Sequence, residues 1–392
     1  MPGPPELSAR AVALKPSLTL AIAAQAKALK NAGRDICSLS AGEPDFDTPD
    51  FIVEATRKAL RDGITRYGPA AGEPELRAAV AEKLSSTNGI ATTSEQVLIT
   101  NGGKQAIYNL FQVLLNPGDQ VLLPAPYWLS YPEMAALAGA EVKLIPTQAE
   151  GGFQLDITAL EAAITPRTRL LVLNTPGNPT GRVMPRQELE AVAEMVRRHP
   201  QLLVMSDEIY EFLLAQGEQH HSFAAIAPDL ADRCFTVNGF AKGWAMTGWR
   251  LGYLAGHQNV IKAAAALQSQ STSNVCSFAQ RGALAAIQGP RDCVDAMAES
   301  YNRRRLLLTE GLQAIEGITL VEPRGAFYAF PKLPESAGGS MDFCRHALEQ
   351  AGLAVVPGLA FGDDRCIRLS CAVSRETIRD GLSRLGQLLS TT

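Results

Sequence analysis

The chain has 392 residues, of which 46% are apolar and 19% charged, and it carries a net charge of −4. That is room for one large domain and a smaller one, in the range of an ordinary globular enzyme. The charge balance excludes the basic footprint of a nucleic-acid binder, and the lack of any apolar run of about 18 residues excludes a membrane-spanning helix.

In chain order, residues 1–16 are proline-rich and read as an arm. Residues 17–32 read as a helix closed by Gly33, and residues 36–40 as a short strand. The stretch 41–49 is a loop by its glycine and prolines. Thr48-Pro49 then supplies a cap and first helical residue for the stripe Ile52, Ala55, Ala59 and Leu60. An irregular stretch, 66–74, precedes a helix over 75–84. Residues 96–100 are an apolar strand that runs into Asn101-Gly-Gly-Lys-Gln105 and a helix ending at Leu115, stopped by Asn116-Pro-Gly118. The pattern then alternates: strands at 121–123, 141–145, 169–173, 202–205, 235–237 and 251–255, with helices at 131–138, 155–164 and 185–198. A long helix over 291–315 leads to strands at 326–331, 354–356 and 366–371 and a helix at 342–351.

Apolar strands alternating with helices predict an α/β fold whose mostly parallel sheet is covered on both faces. The large three-layer αβα domain is expected over 46–285. The smaller α/β domain takes 286–392 and is completed by 1–45 with the N-terminal arm. Seven scattered cysteines without a Cys-x-x-Cys pair predict reduced thiols and a cytoplasmic location, and the stretch before Ala13 lacks the apolar segment of a secretion signal. The five histidines show no metal-ligand spacing, so no metal is expected, and His220-His221 reads as a solvated loop pair. The run Arg303-Arg304-Arg305 reads as a solvated helix face.

The chemistry gathers after the strands. Lys242 sits among small and apolar residues beyond Cys234-Phe-Thr-Val237, and Arg250 follows between Trp249 and Leu251. An amine in apolar surroundings loses proton affinity and becomes a nucleophile toward carbonyls, while a nearby arginine can hold a phosphate. An aldehyde and a phosphate on one ligand describe pyridoxal phosphate. The glycine pair Gly102-Gly103, between a strand and a helix, can bring backbone N–H groups to an anion. Ligands of such sheets bind beyond the carboxyl ends of the strands. There Asn178, Asp207, Tyr210 and Lys242 can converge. Alone, each has a plainer reading: Asn178 as a turn former, Asp207 as a helix cap, Tyr210 as a core aromatic.

Together with Ser40-Ala-Gly-Glu-Pro-Asp-Phe46, Pro126-Tyr-Trp-Leu-Ser-Tyr-Pro132, Asn178-Pro-Thr-Gly181, Ser206-Asp-Glu-Ile-Tyr210, Met246-Thr-Gly-Trp-Arg-Leu-Gly-Tyr253 and Ile367-Arg-Leu-Ser370, these motifs resemble the fold-type I, class I aminotransferases. They are similar to the bacterial branch with aspartate and prephenate aminotransferases. Gly177 departs from relatives that have a second asparagine there. The resemblance implies a ping-pong transfer of an amino group to a 2-oxo acid. Aspartate is the favoured donor, with glutamate and prephenate as further substrates. An aromatic or alanine donor, or a β-lyase on the same fold, stays open.

By the same resemblance, Lys242 would condense with the cofactor aldehyde and move the substrate proton. Asp207 would pair with the cofactor's ring nitrogen, and Tyr210 and Asn178 would bond its ring oxygen. Trp128 would stack on the ring, while Gly103, the Lys104 backbone and Arg250 would hold the phosphate. Tyr67 would reach the phosphate of a neighbouring subunit, which implies a homodimer with shared sites. Arg368 would clamp the substrate carboxylate with help from the Gly42 backbone, although an arginine in that alternating run also reads as an edge-strand surface charge. Lys104, Lys15 and Thr19 would meet the distal carboxylate of an acidic substrate. Otherwise Lys15 belongs to the arm and Lys104 ends a turn.

Overall fold

The computed structural model describes residues 5–8, 11–12, 14 and 18–390. The first strand, β1 (Cys37–Ser38), belongs to a small sheet. The next seven form one large sheet: β2 (Val97–Thr100), β3 (Gln120–Ala125), β4 (Glu141–Pro146), β5 (Thr168–Asn174), β6 (Leu203–Asp207), β7 (Cys234–Gly239) and β8 (Gly252–Ala255). Their order is β2-β8-β7-β6-β5-β3-β4. Only β8 is antiparallel to its neighbours, β7 and β2. Two reversals restore direction, so β2 ends at the same edge as β5, β6 and β7.

The apolar runs are continuous because both faces are covered. Along β5, Leu171 and Leu173 enter one core while Leu170 and Val172 enter the other. The first core is closed by the helices Pro74–Asn88, Arg186–Arg198 and Ser277–Gln288. The second is closed by Gly103–Leu114, Ser130–Leu137 and Gln258–Ser271. The three-layer α/β expectation is met. At about 1.5–3 kcal/mol for each large side chain removed from water, these two cores hold the sheet edge rigid.

The remaining strands are β9 (Tyr328–Ala329), β10 (Leu353–Ala354), β11 (Val356–Pro357) and β12 (Ile367–Ser370). Here β1 pairs in parallel with β10, which brings residues from the chain's beginning to its end. Strands β11 and β9 flank β12 in antiparallel fashion. The helices Asp292–Gln313, Ser340–Gln350 and Arg375–Ser390 pack Leu308, Leu312, Phe343, Ala347, Ile378 and Leu385 over them.

The structure departs from the sequence reading in several places. The strand expected over 354–356 is two strands, because the chain leaves β1 after Ala354 and Val356 turns to pair with Arg368. The run 326–331 keeps ladder pairing only at β9. The helices Gln258–Ser271, Ser277–Gln288 and Arg375–Ser390 had not been anticipated. Of the arginine run only Arg303 lies on a solvated face, beside Glu299. Arg304 donates to both carboxylate oxygens of Asp45 at 2.7 Å. Arg305 is buried and donates to the Ala326 carbonyl at 2.8 Å. His220 is not solvated either; its side chain is 8% exposed and lies 3.0 Å from Glu208.

Candidate active site

The parallel register builds the site. Asn174 at the end of β5 pairs with Asp207 at the end of β6, and Asp207 with Val237 of β7. Three chain exits therefore open at one edge, carrying the Asn178 loop, the Asp207–Tyr210 turn and the Lys242 loop. No helix follows Asp207: the chain turns, and the Ile209 N–H donates to Asp207 Oδ1 at 3.3 Å. The helix-cap reading of Asp207 therefore fails. On the other side of β8, the chain leaves β2 through Gly102, at φ +81, and starts the helix Gly103–Leu114. Gly252 on β8 lies so close that a Cβ there would stand 2.5 Å from the Gly103 nitrogen. The absence of side chains lets the helix start lie flat against β8, just after the turn that carries Arg250.

This corner is an anion cradle. Backbone N–H groups at a helix start attract negative charge. Arg250, itself left-handed at φ +58, donates to the Thr247 carbonyl at 2.9 Å and to the Asn101 carbonyl at 3.4 Å. Lys104 projects over the Trp128 ring, 5.0 Å from its centroid. Burial, and then the charge of Arg250, lowers the Lys104 pKa.

At the centre, Lys242 Nζ donates to the Gly42 carbonyl at 2.5 Å and lies 5.7 Å from the Tyr210 ring and 5.5 Å from that of Phe327. Desolvation first, and the Arg368 charge second, lower its pKa to about 8. Asp207 is 5% exposed, and burial pushes its pKa up to about 6. Its Oδ2 accepts from the Tyr131 hydroxyl at 2.7 Å, a bond that pulls the other way.

The small sheet supplies the far wall. Arg368 on β12 is 3% exposed and donates to Asn178 Oδ1 at 3.0 Å and to the Ser40 carbonyl at 3.3 Å. Its guanidinium lies 4.4 Å from the centroid of the Tyr328 ring. Its Nε is buried without a protein partner, so the surface-charge reading fails. Tyr328 in turn meets Tyr210 hydroxyl to hydroxyl at 3.0 Å.

Gly42, Lys104, Trp128, Asn178, Asp207, Tyr210, Lys242, Arg250 and Arg368 thus line or border one cleft. Tyr67 does not join them: it is 93% exposed. Thr19 lies on the helix Leu18–Asn31, and Lys15 falls outside the described residues. Two residues that carry the geometry had no assigned role: Tyr131 and Tyr328. Tyr131 lies inside the run Pro126–Pro132, so its motif was visible although its partner was not.

Lys242, Arg250, Arg368 and Lys104 have no carboxylate ion-pair partner among the described residues. An arrangement with an unpaired amine, an unpaired buried guanidinium and a glycine-lined helix start fits a ligand that combines a carbonyl with a phosphate, beside a substrate carboxylate.

Comparison with known proteins agrees. The family described as aminotransferase class I and II matches residues 34–385. An aspartate/prephenate aminotransferase of Thermus thermophilus is 48% identical, over 98% of each chain. A bifunctional aspartate and glutamate/aspartate-prephenate aminotransferase of Petunia hybrida is also 48% identical, over 98% of this chain and 83% of the relative. The solved structure of a Thermus thermophilus aspartate aminotransferase with maleate superposes with a TM-score of 0.94 at 46% identity, covering 98% of this chain and all of that one.

Proposed function

The chain belongs to the class I and II aminotransferase family, and from that premise we propose that its cleft holds pyridoxal phosphate and exchanges amino groups between acidic amino acids and 2-oxo acids. The observation that carries this reading is the placing of Lys242 and Asp207 at one sheet edge, with the Arg250 cradle on one side and the Arg368 wall on the other.

When bound, the cofactor supplies a carbonyl carbon for an amine and a protonated ring that withdraws electrons from the substrate Cα. Everything else is work for the protein. The backbone N–H groups of Gly103 and Lys104, with Arg250, would hold the phosphate, since the Gly102 N–H is committed to the Thr100 carbonyl at 2.7 Å. Asp207 keeps the proton on the ring nitrogen, because a buried carboxylate favours a cation beside it. Tyr210 and Asn178 would donate to the ring oxygen, and Trp128 would cover the ring face. Arg368 forks the substrate α-carboxylate. Its planar donors suit that shape, and Asn178 and the Tyr328 ring already fix its plane. Lys242 Nζ would be the group that carries the proton taken from the substrate Cα. With a pKa depressed to about 8, the amine can take up and release that proton near neutral pH.

Aspartate and glutamate are the proposed donors, and prephenate a further acceptor. The names of the Thermus and Petunia relatives support this, as does a relative holding maleate, a dicarboxylate. Lys104, with Lys15 and Thr19, would meet the distal carboxylate. Tyr67, so exposed in one chain, suits contact with a second copy, and we propose a homodimer with shared sites. The division into 46–285 against 1–45 with 286–392 belongs to the same proposal. So does a cytoplasmic location, in keeping with free thiols at all of Cys37, Cys234, Cys276, Cys293, Cys344, Cys366 and Cys371. Among the described residues no helix is long and apolar enough to cross a membrane.

The test is a donor panel in single half-reactions, followed by cofactor absorbance. Aspartate and glutamate should convert the cofactor much faster than alanine or phenylalanine at equal concentration. A panel led by alanine or an aromatic donor would overturn the acidic assignment.

A further inference from the structure

We propose that Tyr131 is a positioning residue that holds Asp207 as an ionised carboxylate, turned so that it can face the cofactor's ring nitrogen. The inference rests on the functional reading of Asp207 given above.

Asp207 is a buried acid whose carboxylate makes no ion pair among the described residues. Two donors hold it: the Tyr131 hydroxyl on Oδ2 at 2.7 Å, and the Ile209 N–H on Oδ1 at 3.3 Å. One grips each oxygen, so the carboxylate plane cannot rotate without losing one of them. Each oxygen keeps a lone pair for a further partner. The Tyr131 ring is itself fixed. It lies in the first turn of the helix Ser130–Leu137, is 1% exposed, and meets Trp128 edge-on with centroids 5.3 Å apart. Trp128 is the residue assigned to the cofactor's face. Tyr131 therefore connects the wall that covers the ring with the acid that serves its nitrogen.

The electrostatics agree with the geometry. Burial raises the Asp207 pKa, and the Tyr131 and Ile209 hydrogen bonds lower it. The other charges facing it are Glu208, which raises it, and Lys242, which lowers it. Burial and the neighbouring Asp207 charge hold the Tyr131 hydroxyl well above its ordinary range, so it stays a protonated donor. Tyr131 does not reach the substrate or the reacting carbon, and it acts through Asp207. Any hydroxyl donating to Asp207 would lower its pKa, but a merely structural tyrosine would leave the protonation of the ring nitrogen unmoved.

The test grades the donor without changing the fold. With 13C-labelled aspartate in the cofactor-free protein, Asp207 in Tyr131→Phe should titrate at a pH about one or more higher than in the wild type. With 3-fluorotyrosine at position 131, a stronger donor of nearly the same size, it should titrate lower. This arm stays available if the phenylalanine variant folds poorly. In the loaded enzyme, the 15N resonance of 15N-labelled pyridoxal phosphate should move toward its unprotonated position in Tyr131→Phe. The half-reaction kcat should fall about tenfold with KM unchanged, since the loss lies in the transition state alone. Unchanged Asp207 titration in both variants would overturn the proposal. A moved titration with an unmoved ring-nitrogen signal would overturn it differently, by showing that Asp207 does not serve that nitrogen, and would fault the functional reading itself.

Discussion

The turn after β6 has two sides, and they treat charge in opposite ways. Asp207 and Tyr210 face the cleft; Glu208 and Glu211 face the packed interior behind it. Behind the turn, every carboxylate oxygen is committed. Glu208 accepts from Ser206 at 2.9 Å and Ser222 at 2.6 Å, and His220 lies 3.0 Å away. Glu211 pairs with Lys83 and accepts from Asn88 and Asn238, each at 2.8 Å. Burial works against charge on His220, yet Glu208 raises its pKa on balance. In front, the cations Lys242, Arg250 and Arg368 contact only carbonyls, rings and an amide oxygen. The turn thus separates a closed network around Glu208 and Glu211 from a set of cations in front that pair with no carboxylate among the described residues. Paired cations mark scaffold here, and cations without a carboxylate partner mark the site.

That contrast can be broken by substitution. The largest expected effect is in front: Lys242→Ala should lower turnover by about 10⁴-fold or more, since both a nucleophile and a proton carrier are lost. Its thermal stability should hold or rise, because a desolvated amine is removed. A matched collapse of stability would place Lys242 in the scaffold. Behind the turn, Lys83→Met should do the reverse. Leaving Glu211 buried without its cation should cost about 3–5 kcal/mol in chemical denaturation. The folded fraction should retain its kcat.

The smaller effects sharpen the picture. Burial, and then the Arg368 charge, lower the Lys242 pKa to about 8, so its neutral form gains as pH rises through that value. Uptake of pyridoxal phosphate by the cofactor-free protein should therefore accelerate about tenfold from pH 7 to 9. Stopped-flow absorbance would show it; a flat profile would mean that the amine is already neutral or never free. Smallest is the expected selectivity change in Lys104→Ala. It should cost aspartate about tenfold more in kcat/KM than alanine, or ~1.4 kcal/mol. Equal losses would assign Lys104 to the phosphate alone.

How far the sequence reached follows from the same physics. Strands such as β5 and β6 were readable because burial on both faces leaves uninterrupted apolar runs that end in polar chemistry. Lys242 and Asp207 stood out because charge is rare at the ends of such runs. The helices Gln258–Ser271 and Ser277–Gln288 were not assigned: alanine, glutamine and serine give their faces little contrast, although Ala264 and Ala283 are fully buried. Arg368 owed its role to resemblance, since an alternating strand does not say which face is buried. Tyr131 and Tyr328 could not be paired from the chain, because their partners lie 76 and 118 residues away. His220 looked solvated for a related reason: its acid, Glu208, is reached only when the loop folds back onto the turn.

Lys242 is proposed as the amine on which the chemistry depends. Borohydride reduction of the protein loaded with pyridoxal phosphate, followed by proteolysis and peptide mass mapping, tests that role most directly. One stable cofactor adduct is expected, on the peptide containing Lys242, and none in Lys242→Ala. An adduct on Lys104 or any other lysine, with Lys242 unmodified, would contradict it.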